Sequence, residues 1–407
     1  MFFLFIIYRL KTLFEVLFNK FTKYLRYFIA TSQGGRDFPV FFVNCVSILN
    51  TNIVEKVHAI DVEETAKSRI NQVDFNNLNF GKIMSDHMLI ADYEDGEWQT
   101  AKIVPYGDLP MSPASSCIHY GQSIFEGIKA YKLKSGQISI FRPDQNLERF
   151  NKSAARLAMP EIPEEIFIDG MRKLISLDSQ WVPATEGSSL YIRPFMFATE
   201  AALGVHPSSS YRFIIITSPV GSYYSKPIRL KVETHYTRAA EGGVGFSKNA
   251  GNYALSLYPT KLAQEEGFDQ LIWTDAREHA YIEEAGTANL IFRIGDTIIT
   301  PQQETILRGI TRLTIMEIAE KWGLKTESRK VSVKELIEGI KAGIVTEAFA
   351  AGTAATITPI SEISYEGTLY TLPDVENREF SNKVLRYLND LRYGIIEDEF
   401  GWNLMVN

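Results

Sequence analysis

Residues 242–253 read GGVGFSKNAGNY. Lys248 stands between two glycine-bearing turns and is followed at once by Asn-Ala-Gly-Asn-Tyr. Lysine is a poor core residue, so a lysine set among glycines and an aromatic needs a reason. One reason is chemical: in a partly desolvated pocket its ammonium loses its proton readily, and the amine can form a Schiff base with an aldehyde. The plain alternative is a solvated loop lysine, since most lysines are exposed. The rest of the chain decides between them.

The chain has 407 residues, 45% hydrophobic and 22% charged, which describes a globular protein of about two domains. A net charge of −7 gives no basic field for nucleic acid, so no nucleic-acid partner is expected. The two cysteines, Cys45 and Cys117, supply neither a disulfide framework nor a cysteine-based zinc site. The six histidines are scattered without ligand spacing, and no metal is expected.

Residues 1–60 differ from the rest of the chain. They are dense in Phe, interrupted by Arg9, Lys11, Lys20, Lys23 and Arg26, and hold no apolar run of the ~18 residues that a bilayer span needs. A basic amphipathic surface helix, an organelle presequence and residues outside the native protein are the three readings. The expectation is an extension without a structural role, in a cytoplasmic protein.

Beyond it the pattern is mixed α/β, or α+β, in two halves. A hairpin is expected through Phe80–Gln99, turning at Glu94-Asp95-Gly96. Residues 114–131 carry an apolar helical stripe that leads to a strand over 138–141. Pro143 and Pro163 open helices that run to Met159 and Val182. SLYIRPFMFA (189–198) and YRFIIITS (211–218) read as buried strands. The turn-rich PVGSYYSK (219–226) marks the break, giving a small domain over 61–218, an interdomain loop over 219–228 and a larger domain over 229–407. Strands at 270–275, 288–294 and 297–300 and helices at 309–322, 333–342 and 377–393 complete the second half.

Four other stretches carry residues odd for a plain core. Arg142, at a strand end in IFRPDQN, can clamp an anion or simply be exposed. Glu284, in IEEAGTANLIF, is a carboxylate in an apolar run, costly unless paired, or else a turn residue. LRGITR sets Gly309, Ile310 and Thr311 at a helix start, whose free N–H groups suit a phosphate. Thr353 and Ala354, in AAGTAAT, follow another glycine turn. A lysine, an arginine, a helix start and a carboxylate together make the parts list for pyridoxal 5′-phosphate.

FGKIMSDHM, IHYGQSIFEGIKAY, FRPDQN, SLYIRP, GGVGFSKNAGNY, EEAGTAN, LRGITR and AAGTAA occur in one order and spacing. From about Phe80 to Trp402 the chain closely resembles the branched-chain amino-acid aminotransferases, fold-type IV enzymes of the D-amino-acid aminotransferase-like class. The resemblance implies pyridoxal 5′-phosphate joined to Lys248, with Glu284 on the ring nitrogen and Tyr253 on the phenolic oxygen. It implies phosphate contacts from Arg142, Ile310, Thr311 and Thr353. It also implies a substrate pocket of Phe80, Tyr120, Phe125, Tyr191, Arg193 and Thr287, a carboxylate turn at Ala354, and a closing loop at Tyr223. The implied reaction passes the amino group of L-leucine, L-isoleucine or L-valine to 2-oxoglutarate, giving L-glutamate, in a homodimer or larger homo-oligomer.

The rivals are a D-amino-acid aminotransferase or aminodeoxychorismate lyase of the same fold type, and a binding protein that has lost catalysis. Some positions depart from the family. Ala355 and Thr358 stand where vertebrate members carry a CxxC pair, so no thiol switch is implied. Arg308 replaces a common Pro, and Ile291 a common aromatic.

Overall fold

The computed structural model describes residues 60–221, 226–354 and 356–406. The expected extension, apart from Ile60, and Tyr223 lie outside the described residues. Two sheets carry the rest, and the apolar runs of the sequence explain both.

The first sheet is built on the long hairpin β8 (Ser189–Ala198) and β9 (Tyr211–Val220), which pair antiparallel from Ser189–Val220 to Ala198–Tyr211. Their β-branched and aromatic residues bury both faces, as near-continuous apolar strands must. To one side follow β2 (His87–Glu94), β4 (Ala101–Pro105) and β1 (Ile60–Val62); to the other, β6 (Ile128–Lys132) and β7 (Ile138–Phe141). β3 (Glu97–Trp98) pairs with β2, and β5 (Ser123–Phe125) with β8. The β2–β3 turn is the expected one: Asp95 and Gly96 adopt φ of 54° and 84°, the left-handed pair of a tight hairpin. β19 (Asn403–Val406) adds the last edge strand, antiparallel to β7.

The second sheet closes on itself. β10 (Ile228–Val232) lies parallel to both β11 (Gln270–Thr274) and β17 (Thr356–Tyr365). The ring runs β12 (Ile282–Ala285), β11, β10, β17, β16 (Val345–Gly352) and β13 (Ala288–Ile294), and β13 pairs back to β12. Closure removes the free edges that an open sheet would leave. β14 (Thr297–Pro301) and β15 (Lys325–Arg329) extend the sheet from β13, and β18 (Thr368–Thr371) pairs with β17.

Helices cover the sheets: α1 (Ser116–Tyr120), α2 (Pro143–Arg156), α3 (Gly170–Leu177), α4 (Ala250–Ala254), α5 (Leu257–Glu265), α6 (Ile310–Lys321), α7 (Val333–Lys341) and α8 (Glu379–Arg392). Each half has its own apolar core. A third cluster joins Tyr131 and Phe141 of the first sheet to Ile291 and Phe349 of the ring and to apolar residues of α6 and α8. No helix among the described residues is long and apolar enough to cross a membrane.

One expected helix is corrected. Residues 114–131 are a single short turn, α1, ended by Gly121 at φ 66°, followed by β5 and β6. The apolar stripe there is Ile124 and Ile128 buried by the first sheet.

Phe213 of β9 is fully buried, its ring 5.5 Å from that of Phe150 and 5.8 Å from that of Phe167. Phe213→Ala should cost about 3–5 kcal/mol, read as a lower urea midpoint at unchanged slope.

Candidate active site

The Lys248 loop is shaped by its own amides. Asn249 caps α4 by accepting from the Asn252 N–H at 3.2 Å, and the Asn252 amide reaches back to the Ser247 and Val244 carbonyls at 2.8 and 3.0 Å. Glycine is required at 245, where a Cβ would lie 2.4 Å from the Ala239 Cβ and 2.5 Å from the Thr305 carbonyl oxygen. The Lys248 peptide is gripped from outside. Its N–H donates to the Ser153 hydroxyl of α2, and its carbonyl accepts from the Phe125 N–H of β5, both at 3.0 Å.

The lysine side chain then has little freedom. Nζ donates to the Tyr253 hydroxyl at 2.8 Å and lies 4.9 Å from the centre of the Phe125 ring. Lys248, Tyr253, Glu284 and Thr287 line one cavity. Glu284 is buried, and its Oε1 accepts from the Leu307 N–H at 2.7 Å and from the Asn289 amide at 3.3 Å. Arg238 lies 3.7 Å from its other oxygen. A carboxylate so held can present its second oxygen to a cation.

A second cavity is lined by Ile310, Thr311, Thr353, Asn146, Lys129 and Arg392, among others. Gly309 caps α6 there without a side chain, so the first N–H groups of that helix are free for an anion. Lys129 Nζ donates to the Ala354 carbonyl at 2.7 Å, tying β6 to the turn between β16 and β17. Burial, reinforced by the Arg392 charge, lowers this lysine to about 7.

Arg142 is placed apart from the residues that line this cavity. It sits at the start of α2 with φ 49°, but its guanidinium turns to Thr314 Oγ1 at 3.0 Å and to both oxygens of Glu317 at 3.2 and 3.1 Å. It also stacks 4.6 Å over Trp402. Those contacts hold it against Thr314 and Glu317, a turn or more into α6 and away from the start of that helix. Arg149, two turns along α2, lies at that helix start instead. It is buried, bound to both oxygens of Glu126 at 2.8 and 2.7 Å, and donates to the Arg308 carbonyl at 3.0 Å, where α6 begins. Glu126 also holds Asn146 at 2.7 Å. The signal for this pair was the spacing of Asn146 and Arg149 on one helix face beside a buried glutamate.

The aromatic residues form one continuous group. Phe80 meets Tyr191 at 4.9 Å, and Tyr191 accepts from Arg193 at 2.9 Å. Arg193 lies 4.8 Å over Phe125, which meets Tyr253 at 4.8 Å. Gly127 makes room for this, because a Cβ there would fall 2.4 Å from the Tyr191 hydroxyl. Tyr120 keeps other company: its hydroxyl donates to the Leu203 carbonyl and its ring meets His119.

A Cβ at Gly309 would fall 1.7 Å from Asn289 Oδ1. Gly309→Ala must therefore push Asn289 off Glu284, and should cost about 1–3 kcal/mol in urea unfolding.

Known proteins resemble this chain along most of its length. A family model described as amino-transferase class IV matches residues 123–363. Branched-chain-amino-acid aminotransferase 2 of Bacillus subtilis is 42% identical over 348 residues, covering 84% of this chain and 96% of that protein. A probable branched-chain-amino-acid aminotransferase of Staphylococcus aureus (strain MRSA252) is 45% identical over 353 residues, 85% of this chain and 98% of that one. Among solved structures, the Escherichia coli branched-chain amino acid aminotransferase superposes with a TM-score of 0.63 at 26% identity, over 79% of this chain and 99% of its own. A T.th. branched-chain amino acid aminotransferase solved with pyridoxamine 5′-phosphate gives 0.63 at 26%, over 78% and 98%. The chain therefore belongs to the class IV aminotransferases, in the branched-chain-amino-acid aminotransferase family.

Proposed function

We propose that this aminotransferase moves the amino group of L-leucine, L-isoleucine or L-valine reversibly to 2-oxoglutarate, with pyridoxal 5′-phosphate held by Lys248. The observation that carries the reading is the hydrogen bond from Lys248 Nζ to Tyr253, in a cavity that the buried Glu284 also lines. The donor set fits the cofactor: an amine, a buried carboxylate, and a helix start whose N–H groups lack a side-chain cap. Lys248 would hold the aldehyde carbon and Glu284 the ring nitrogen. Ile310, Thr311 and Thr353, beside Arg149, would hold the phosphate.

Bound there, the cofactor supplies a carbon that takes up and returns the amino group and a ring that draws electrons from the substrate. The chain's own residues do the rest. Lys248 Nζ removes the proton from the substrate Cα and later returns one, acting as base and acid in turn. Tyr253 holds Nζ in position for both steps. Phe80, Phe125 and Tyr191 enclose a hydrocarbon side chain and exclude water. Arg193, braced by Tyr191, offers its charge to the distal carboxylate of 2-oxoglutarate. Lys129 steadies the 353–354 turn, whose backbone N–H groups meet the carboxylate beside Cα. In the same reading 61–218 and 229–407 act as two domains joined by 219–228, and the working unit is a homodimer in the cytoplasm.

An absorption spectrum tests the reading. The purified protein should show the visible band of bound cofactor, which L-leucine shifts into the near ultraviolet and D-leucine leaves unchanged. Lys248→Ala should keep the cofactor yet lose at least about 10⁴-fold in turnover. A band indifferent to leucine would remove the substrate assignment, and a protein that takes up no cofactor would remove the mechanism. Arg149→Ala should weaken cofactor retention tenfold or more. Arg142→Ala should leave retention nearly unchanged and cost about 1 kcal/mol of stability, because Glu317 is half exposed. Lys129→Met should raise KM severalfold for both substrates with kcat little changed.

A further inference from the structure

Glu283 and Glu284 are neighbours in β12 and both are buried. One guanidinium serves them. Arg238 lies 3.7 Å from Glu283 Oε2 and 3.7 Å from Glu284 Oε2, too far in either case for a hydrogen bond. The short contacts of Arg238 go elsewhere, to the Thr305 carbonyl at 2.6 Å and the Gly245 carbonyl at 3.4 Å, and its Nε has no partner. The two carboxylates are unequally supplied. Glu284 accepts a backbone N–H and an amide, whereas Glu283 accepts only from the Thr305 hydroxyl, and its Oε2 has no hydrogen-bond partner. With both ionised, the group would carry two negative charges against one positive. A buried site strongly disfavours such an imbalance.

We propose that Glu283 is the proton reservoir of this pair, carrying a proton while the site is empty and releasing it when the protonated ring nitrogen of pyridoxal 5′-phosphate meets Glu284. The inference rests on the cofactor reading given above. Charge balances in both states. Before binding, Arg238 is positive, Glu284 negative and Glu283 neutral. After binding, Arg238 and the ring nitrogen are positive while Glu284 and Glu283 are negative. The O–H bond of Glu283 breaks, its proton goes to water, and no electron changes hands. The charged groups that face Glu283 are Arg238, Glu284 and Asp275. Burial, helped by the charges of Glu284 and Asp275, pushes its carboxyl up to about 7 against the pull of Thr305 and Arg238. Glu283 is thus a positioning residue: it acts on the cofactor through the charge of Glu284.

The test is calorimetric titration of the full-length apoprotein with pyridoxal 5′-phosphate. It is run at pH 6, 7 and 8.5 in buffers of different ionisation enthalpy, for the wild type and Glu283→Gln. The wild type should release about one proton more than the variant at pH 6, about half a proton more at pH 7, and none at pH 8.5. Below pH 7 its affinity relative to the variant should increase with rising pH, by up to about tenfold per pH unit. The wild type alone gives a second measure: its apoprotein should show the infrared carbonyl stretch of a protonated carboxylic acid, lost when the cofactor binds. The apoprotein should also lose stability relative to Glu283→Gln as the pH rises from 4.5 through about 7, because the folded state holds this proton more tightly than the unfolded chain. Equal proton counts at all three pH values, or an infrared band that persists in the complex, would overturn the proposal and leave the cofactor reading intact. Failure of the cofactor to bind would remove both.

Discussion

The structure turns on the peptide of Lys248. Its N–H and carbonyl are held by Ser153 of α2 and by the Phe125 N–H of β5, both packed on the first sheet, while the loop itself leads into the ring. A loop rich in glycine and asparagine can fix its own shape, as the Asn249 and Asn252 amides do. It cannot fix where it sits. Two hydrogen bonds from the other half of the molecule do that, and Ser153 is itself bound to the Arg149 carbonyl at 2.9 Å. The helix that places the lysine therefore also carries the arginine at the start of α6. Positioning of this kind supplies catalytic power by removing the need for reorganisation during the reaction.

Buried charge is the second constraint. Arg149, Glu126 and Asn146 form a closed polar group between α2 and the Glu126–Gly127 backbone, and Glu284, Asn289 and Leu307 form another. Each charge has fixed partners inside the fold. Groups of this kind add little net stability compared with an apolar core, but they give a cofactor and its substrates a prearranged field.

Legibility differed by element for physical reasons. β8 and β9 were plain because both faces are buried and their β-branched runs have no other use. The helices at 310–321 and 333–341 were plain from period and caps. β12 was hidden because Glu283 and Glu284 occupy strand positions that composition assigns to a turn, and β16 because its small residues carry little strand signal. Residues 114–131 misled because Ile124 and Ile128 are spaced as on a helix while Gly121 and Gly127 break it. Lys248 and Glu284 stood out in their local motifs, whereas Tyr253 entered through the family resemblance. Arg142 and Arg149 could not be told apart that way. Arg142 caps α2 and Arg149 lies within it, and only the reach of Arg149 to the Arg308 carbonyl, where α6 begins, sets them apart.

β7 is buried along its whole length and apolar but for Ser139, yet in chain order it is an edge strand until residues 403–406 pair with it. Until then the first sheet offers an unpaired, greasy border of the kind that recruits strands from other molecules. Synthesis of this chain thus includes a long interval in which its earlier half is nearly built but sticky. The closing contact is also among the most distant in sequence, which slows its formation. Damage to Trp402 or the strand after it would be felt as insolubility of nascent chains rather than as a defect of chemistry.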